Sequence, residues 1–121
     1  HPFRTWIERG LHPSASTDCP VTDIDPRTVI YNLVTRKTRT GKLFGPEHRL
    51  SIDEALHAYT WSSAYASHEE TLKGRLEPGQ LADIAVFDRD LTAVAPEALL
   101  EAVCEMTLRG GEVVYQRSDH P

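Results

Sequence analysis

Cysteine is scarce in this chain of 121 residues: Cys19 and Cys104 are the two it has, and their separation gives neither a metal-ligand spacing nor a disulfide framework. Long apolar runs are absent as well. None approaches the roughly 18 residues that span a bilayer, and the residues from His1 onward do not read as a signal peptide. No basic block appears, and the net charge of -5 argues against a nucleic-acid or anionic-membrane surface, because both need clustered Lys and Arg. These absences set a cytoplasmic expectation. An initiator methionine is missing too. The chain opens on His1-Pro2-Phe3, and Phe3 to Arg9 already carries Phe3, Trp6 and Ile7 at helical spacing with Gly10 as its stop. A piece of a longer protein is the expectation.

What the chain does have is organised around residues 74–88. Gly74 to Glu77 reads as extended, Pro78-Gly79 as a turn whose glycine accepts a positive φ, and Ile84 to Phe87 as an apolar strand without alternation, expected to be buried on both faces. Asp83, just before it, is placed to bond nearby backbone N–H groups.

Upstream, Leu11 to Val21 is a strand-like run of small residues ending in the carboxylate of Asp18, with Pro13 making its start irregular. Asp25 and Pro26 have the N-cap and N1 pattern, opening a helix that carries Val29, Ile30, Leu33 and Val34 on one face and stops near Arg36. Lys37 to Pro46 reads as a mobile loop. The cations Arg36, Lys37, Arg39 and Lys42 fit a solvated surface better than a phosphate cradle, since no glycine-rich turn follows a strand there. Ser51 and Glu54 have capping-box spacing, and the helix they start is expected to run through Ala66 with Ile52, Leu56, Tyr59, Ser63 and Ala66 on one stripe and Ala55, Ala58 and Ala64 keeping it slim. His57 falls off that stripe and reads as a surface residue. Pro96 to Ala102 predicts a short helix. Val103 to Arg109 alternates with period two, Gly110-Gly111 turns a hairpin, Glu112 to Tyr115 returns, and 118–121 frays.

These motifs resemble the amidohydrolase superfamily, in particular the branch often called amidohydrolase family 3. Gly74, Leu76, Gly79, Ala82, Asp83 and Ile84 match its signature G-x-L-x-x-G-x-x-A-D-I-x-V-x-D, where the chain leaves the catalytic barrel and rejoins a small β-sandwich. Gly10, Ser16, Thr17, Asp18, Pro20 and Val21 match its last barrel strand. Thr35 and Arg36 match the end of the following helix, and Leu50, Ser51, Glu54, Ala55, Leu56, Tyr59 and Thr60 match the helix that closes the barrel. Thr107, Gly110 or Gly111, Val114 and Tyr115 match the family's terminal hairpin.

The resemblance implies an α/β fold: the C-terminal fragment of a (β/α)8 TIM barrel, its last strand and helices in residues 1–70, and the returning strands of a composite β-sandwich in 71–121. It implies hydrolysis of a C–N bond in an amide, formamide or cyclic amide. In the full-length protein it further implies a divalent metal, zinc by preference. Asp18 is then both a metal-side carboxylate and the catalytic group that takes a proton from bound water, whose pKa such a metal lowers from about 16 to about 7. On spacing alone, Asp18 reads first as the cap of the turn that follows it, and the resemblance reverses that order.

The family's H-x-H metal pair is not among the six histidines of this chain, and one carboxylate does not hold a catalytic metal, which takes three or more protein ligands. The fragment alone is therefore expected to be inactive and to hold no cofactor. Its expected partners are the remainder of the parent barrel or further copies of itself, with a small-molecule substrate in the parent and neither nucleic acid nor membrane. A self-sufficient α+β binding module without catalysis is the alternative, distinguished by whether the reading frame continues upstream of His1.

Overall fold

The computed structural model describes residues 1–118, so of the expected frayed tail the residues beyond Ser118 lie outside what is described. Four short α-helices come first: α1 (Phe3–Glu8), α2 (Pro26–Thr35), α3 (Ile52–Tyr59) and α4 (Trp61–Ala66). The strands β1 (Ile84–Phe87), β2 (Cys104–Arg109) and β3 (Glu112–Gln116) follow.

Local chemistry accounts for the helix ends. Gly10 closes α1 at φ +75. The N–H groups of Gly10 and Leu11 reach back to the carbonyls of Ile7 (2.9 Å) and Trp6 (3.0 Å), the Schellman pairing that a glycine in this conformation permits. The Asp25 carboxylate accepts from the Arg27 N–H at 2.9 Å, and α2 ends where Arg36 turns left-handed at φ 56, as the sequence indicated. Ser51 and Glu54 form the reciprocal capping box, at 3.2 and 2.7 Å.

The third helix is not the continuous one expected through Ala66. It breaks at Thr60, at φ −112 and ψ −87, where the Thr60 hydroxyl bonds back to the Leu56 carbonyl at 2.8 Å. A β-branched residue that competes in this way for the backbone weakens helix continuation. The packing stripe also differs. The most buried residues of α3 and α4 are Ala55, Ala58, Ser62 and Ala64, whereas Ile52, Leu56 and Tyr59 are half-buried and Ala66 is exposed. Small side chains form the contact because other backbone comes close: the Ala15 N–H donates to the Ala58 carbonyl at 3.0 Å.

One core results. Phe3, Ala15, Ile30, Leu33, Leu50, Ala55 and Ala58 are joined in it by Leu99, which lies on a short 3-10 turn (Pro96–Leu99) between β1 and β2 and packs back onto α2. The expected helix at 96–102 is thus a single tight turn. The Arg27 guanidinium donates to the Ala102 carbonyl on the same connection, and the Arg4 guanidinium clasps Glu54 with two bonds of 2.6 Å, tying α1 to α3.

The sheet is antiparallel in the order β1-β2-β3. Ile84 faces Leu108 and Val86 faces Met106, with a bulge before Phe87. Gly110 and Gly111, at φ 57 and 87, make the two-residue hairpin whose twist suits the flanking strands. The burial expected for β1 is not found: Ala85 and Val86 are exposed, Val86 by 41 %. It is an edge strand with β2 on one side, and α3 and α4 leave an open groove beside it rather than a packed layer. Residues 37–43 form a hydrogen-bonded finger, with Lys37 bridged to Leu43 and the Thr38 N–H on the Lys42 carbonyl at 2.8 Å.

Candidate active site at the Asp18 turn

Burial alternates along residues 13–18. Ala15 and Thr17 face inward, and Ser14, Ser16 and Asp18 are exposed. This has the side-chain period of a strand but not its ladder, which corrects the expectation of a strand at 11–21. Among the described residues no strand lies beside it, and Pro13 has no N–H to offer.

At Asp18 the chain turns. Its φ is 55, a left-handed conformation that costs an L-residue about 1–2 kcal/mol and that Asp tolerates better than most. The Val21 N–H donates to the Asp18 carbonyl at 2.8 Å, closing a turn over Cys19 and Pro20, whose peptide bond is cis. The Asp18 N–H donates to the Ser16 hydroxyl at 3.2 Å. The Thr22 hydroxyl donates to the Thr17 carbonyl. Thr17 is itself buried against α3, where burial and then the charge of Asp25 push the Tyr59 hydroxyl up, while the Thr17 backbone facing it acts the other way.

All the polar work of this turn falls to backbone and neighbouring hydroxyls. The Asp18 carboxylate is exposed and has no hydrogen-bond or ion-pair partner among the described residues. The turn-capping reading required that carboxylate to accept a backbone N–H, and the Asp18 carbonyl does so instead.

His1 lies against Trp6, His48 beside Glu47, and His12 edge-on to Trp61 and Tyr65 at 5.0 Å each. His57 is exposed, as expected, and stacks on Trp61 at 5.0 Å; burial, then the charges of Arg75 and His12, push its imidazole down. Among the described residues, no three of His, Cys, Asp and Glu come together as a metal site.

One feature escaped the sequence reading. His57 at the end of α3 stacks on Trp61, and Trp61 on Tyr65 within α4, as a ladder across the break, and the Arg75 guanidinium lies 5.0 Å from the Trp61 ring. The i, i+4, i+8 spacing of three rings was the available signal. His57 also lines a cleft of about 460 Å³, together with Ile7, Leu11, His12 and Ala58. That cleft takes in His12 and Pro13 at the start of the 13–18 segment, whereas Asp18 lies at its other end.

Comparison with known proteins gives this geometry its context. The amidohydrolase family profile matches residues 1–115. The chain is 31 % identical over 117 residues to the N-substituted formamide deformylase of Arthrobacter pascens, covering 97 % of this chain and 22 % of that protein. It is 29 % identical over 119 residues to YtcJ of Bacillus subtilis strain 168, an amidohydrolase by name, again across 22 % of the relative's length. A solved amidohydrolase structure from Thermotoga maritima superposes with a TM-score of 0.71 over 95 % of this chain and 26 % of that one; at 18 % identity this is a likeness of fold. The chain thus spans about a fifth of the length of these curated relatives. With the family match running from the first residue to the final hairpin, the chain belongs to the amidohydrolase family.

Proposed function

We propose that this chain is the C-terminal portion of a metal-dependent amidohydrolase that cleaves a carbon–nitrogen bond in a small molecule, and that Asp18 is its proton-transfer group. Residues 1–70 are read as the end of a (β/α)8 barrel, and 71–121 as the C-terminal strands of a small β-sandwich. One observation carries this reading: in a chain of this family, the exposed Asp18 carboxylate, without a partner among the described residues, stands on a turn whose backbone is held from both sides. The Arthrobacter relative is named for N-substituted formamides, and amides, formamides and cyclic amides are the substrate class proposed here.

The chemistry balances on one carboxylate. Water adds through its oxygen to the carbonyl carbon while an Asp18 Oδ takes the proton that water gives up. The same oxygen then delivers that proton to the departing nitrogen as the C–N bond breaks, leaving an acid, an amine and the carboxylate restored. The described residues do not by themselves fit a complete metal site, and Asp18 stands as the ligand this chain would offer to one. In the full-length enzyme, Asp18→Asn should lower kcat by about 10²- to 10⁴-fold with an unchanged melting temperature. A variant within tenfold of the parent sinks the assignment. For the isolated chain, calorimetry with zinc or manganese should show weak binding. Stoichiometric sub-micromolar binding that disappears in Asp18→Ala means the chain builds its own site and is not a portion of a larger one.

A further inference from the structure

We infer that Thr22 is a positioning residue for Asp18: its hydroxyl, bound to the Thr17 carbonyl, locks the peptide between Thr17 and Asp18 and so aims the carboxylate. This rests on the reading of Asp18 as the proton-transfer group.

The left-handed backbone at Asp18 is a conformation that persists only where its surroundings over-determine it. Each peptide flanking Asp18 is held. On the preceding one, the carbonyl accepts from the Thr22 hydroxyl and the N–H donates to the Ser16 hydroxyl. On the following one, the carbonyl accepts from the Val21 N–H. The side chain of Thr17 is buried, and its backbone faces the Tyr59 hydroxyl of α3. Among these restraints, Thr22 is the one that reaches back across the whole turn through a side chain, five residues from the carbonyl it holds. Ser16 is two residues away and moves with the segment it restrains.

Released from Thr22, the peptide before Asp18 can rotate, and Asp18 can relax to the negative φ that L-residues prefer. The carboxylate would then leave its position without any change in its own chemistry. Because near-attack geometry is sensitive to displacements of about 1 Å, such a loss falls on the chemical step rather than on binding.

The test uses the full-length enzyme with an N-substituted formamide as substrate. Thr22→Val removes the hydroxyl at nearly constant volume, and Thr22→Ser keeps the hydroxyl without the methyl group. The expected result is a kcat lowered about 10- to 100-fold in Thr22→Val, with KM within about twofold of the parent. In Thr22→Ser, kcat should recover to within about threefold. A crystal structure of Thr22→Val should show Asp18 out of the left-handed region. The inference is overturned if kcat in Thr22→Val is unchanged, if Thr22→Ser is as impaired as Thr22→Val, or if Asp18 keeps its positive φ without the hydroxyl. It is equally overturned if neither Thr22→Val nor Thr22→Ala folds, because Thr22 is then a structural residue. Asp18→Asn in the same assay separates the two readings. An active Asp18→Asn enzyme removes the proton-transfer role, while the φ in Thr22→Val still decides whether Thr22 holds the turn.

Discussion

Gly74 and Gly79 share a sequence signature and a positive φ, at +100 and +93, but they answer different physical needs. A Cβ at Gly74 would stand 3.0 Å from both the Ala64 Cβ and the Trp61 Cα, so the chain there lies directly on α4. A Cβ at Gly79 would meet nothing within 4 Å, and that glycine serves the turn closed by the Gln80 N–H on the Glu77 carbonyl at 3.2 Å. Gly79→Ala is therefore expected to cost about 1 kcal/mol, the left-handed strain alone. Gly74→Ala adds a clash with backbone and is expected to cost about 2–4 kcal/mol in all. Urea midpoints of the two variants check the order; equal midpoints would mean that the segment at Gly74 can lift off α4. Asp83, in the same signature, has the structural role expected of it, accepting the Gly110 N–H at 2.8 Å.

At the level of elements, β1 is tied to β2 beyond its last ladder pair through Asp88. The Asp88 N–H donates to the Val103 carbonyl at 2.9 Å, and its carboxylate accepts from the Val103 N–H at 3.0 Å and from Arg89 at 2.9 Å. Arg89 first, and then that backbone N–H, hold the Asp88 carboxyl down at about 2. A carboxyl lowered on folding contributes stability that is fully present above its unfolded value, about 4, and is lost as the pH falls through about 2. The sheet should thus lose stability across that window. In Asp88→Asn the slope should be shallower than in the parent; parallel slopes in urea titrations between pH 5 and pH 2.5 would assign the acid loss to other carboxyls. Those include Glu54, held down by Arg4, and Asp25, held down by Arg27. On α3, Ser51→Ala removes one arm of the capping box and should cost about 1 kcal/mol, read from the thermal midpoint.

On the scale of the molecule, the helices close one core while the sheet stays largely open. Every residue of β3 is exposed, and its Val113, Val114 and Tyr115 lie in solvent together with Leu76 and Phe44. An open groove of about 1180 Å³ lies between α3–α4 and β1, lined by Leu56, Trp61, Ile84 and Val86 among others. Burying side chains of this kind is worth roughly 1.5–3 kcal/mol each. We propose that the chain is stable beside the remainder of its parent or as an oligomer. Sedimentation of the isolated chain at low micromolar concentration should show association. A monodisperse monomer with a sharp thermal transition would favour the independent α+β module.

Local codes determined what they govern without help from distant residues. The ends of α1 and α2, the capping box, the Pro78-Gly79 turn and the Gly110-Gly111 hairpin all follow from interactions within a few positions, and each was legible in the sequence. Matched positions spread over the whole chain made the family legible as well. Long-range contact decided the rest. Whether 13–18 is a strand depends on a neighbour to pair with, and among the described residues there is none. The face that α3 buries depends on how closely the Ala15 backbone approaches Ala58, which selects alanine over leucine. The exposure of β1 follows from the open groove beside it, where no layer packs onto its face, and no apolar run reveals that. At Asp18, the residue type was readable, but the freedom of its carboxylate was not. That freedom exists because Ser16, Val21 and Thr22 satisfy the turn in its place, and only the folded chain brings those groups to it.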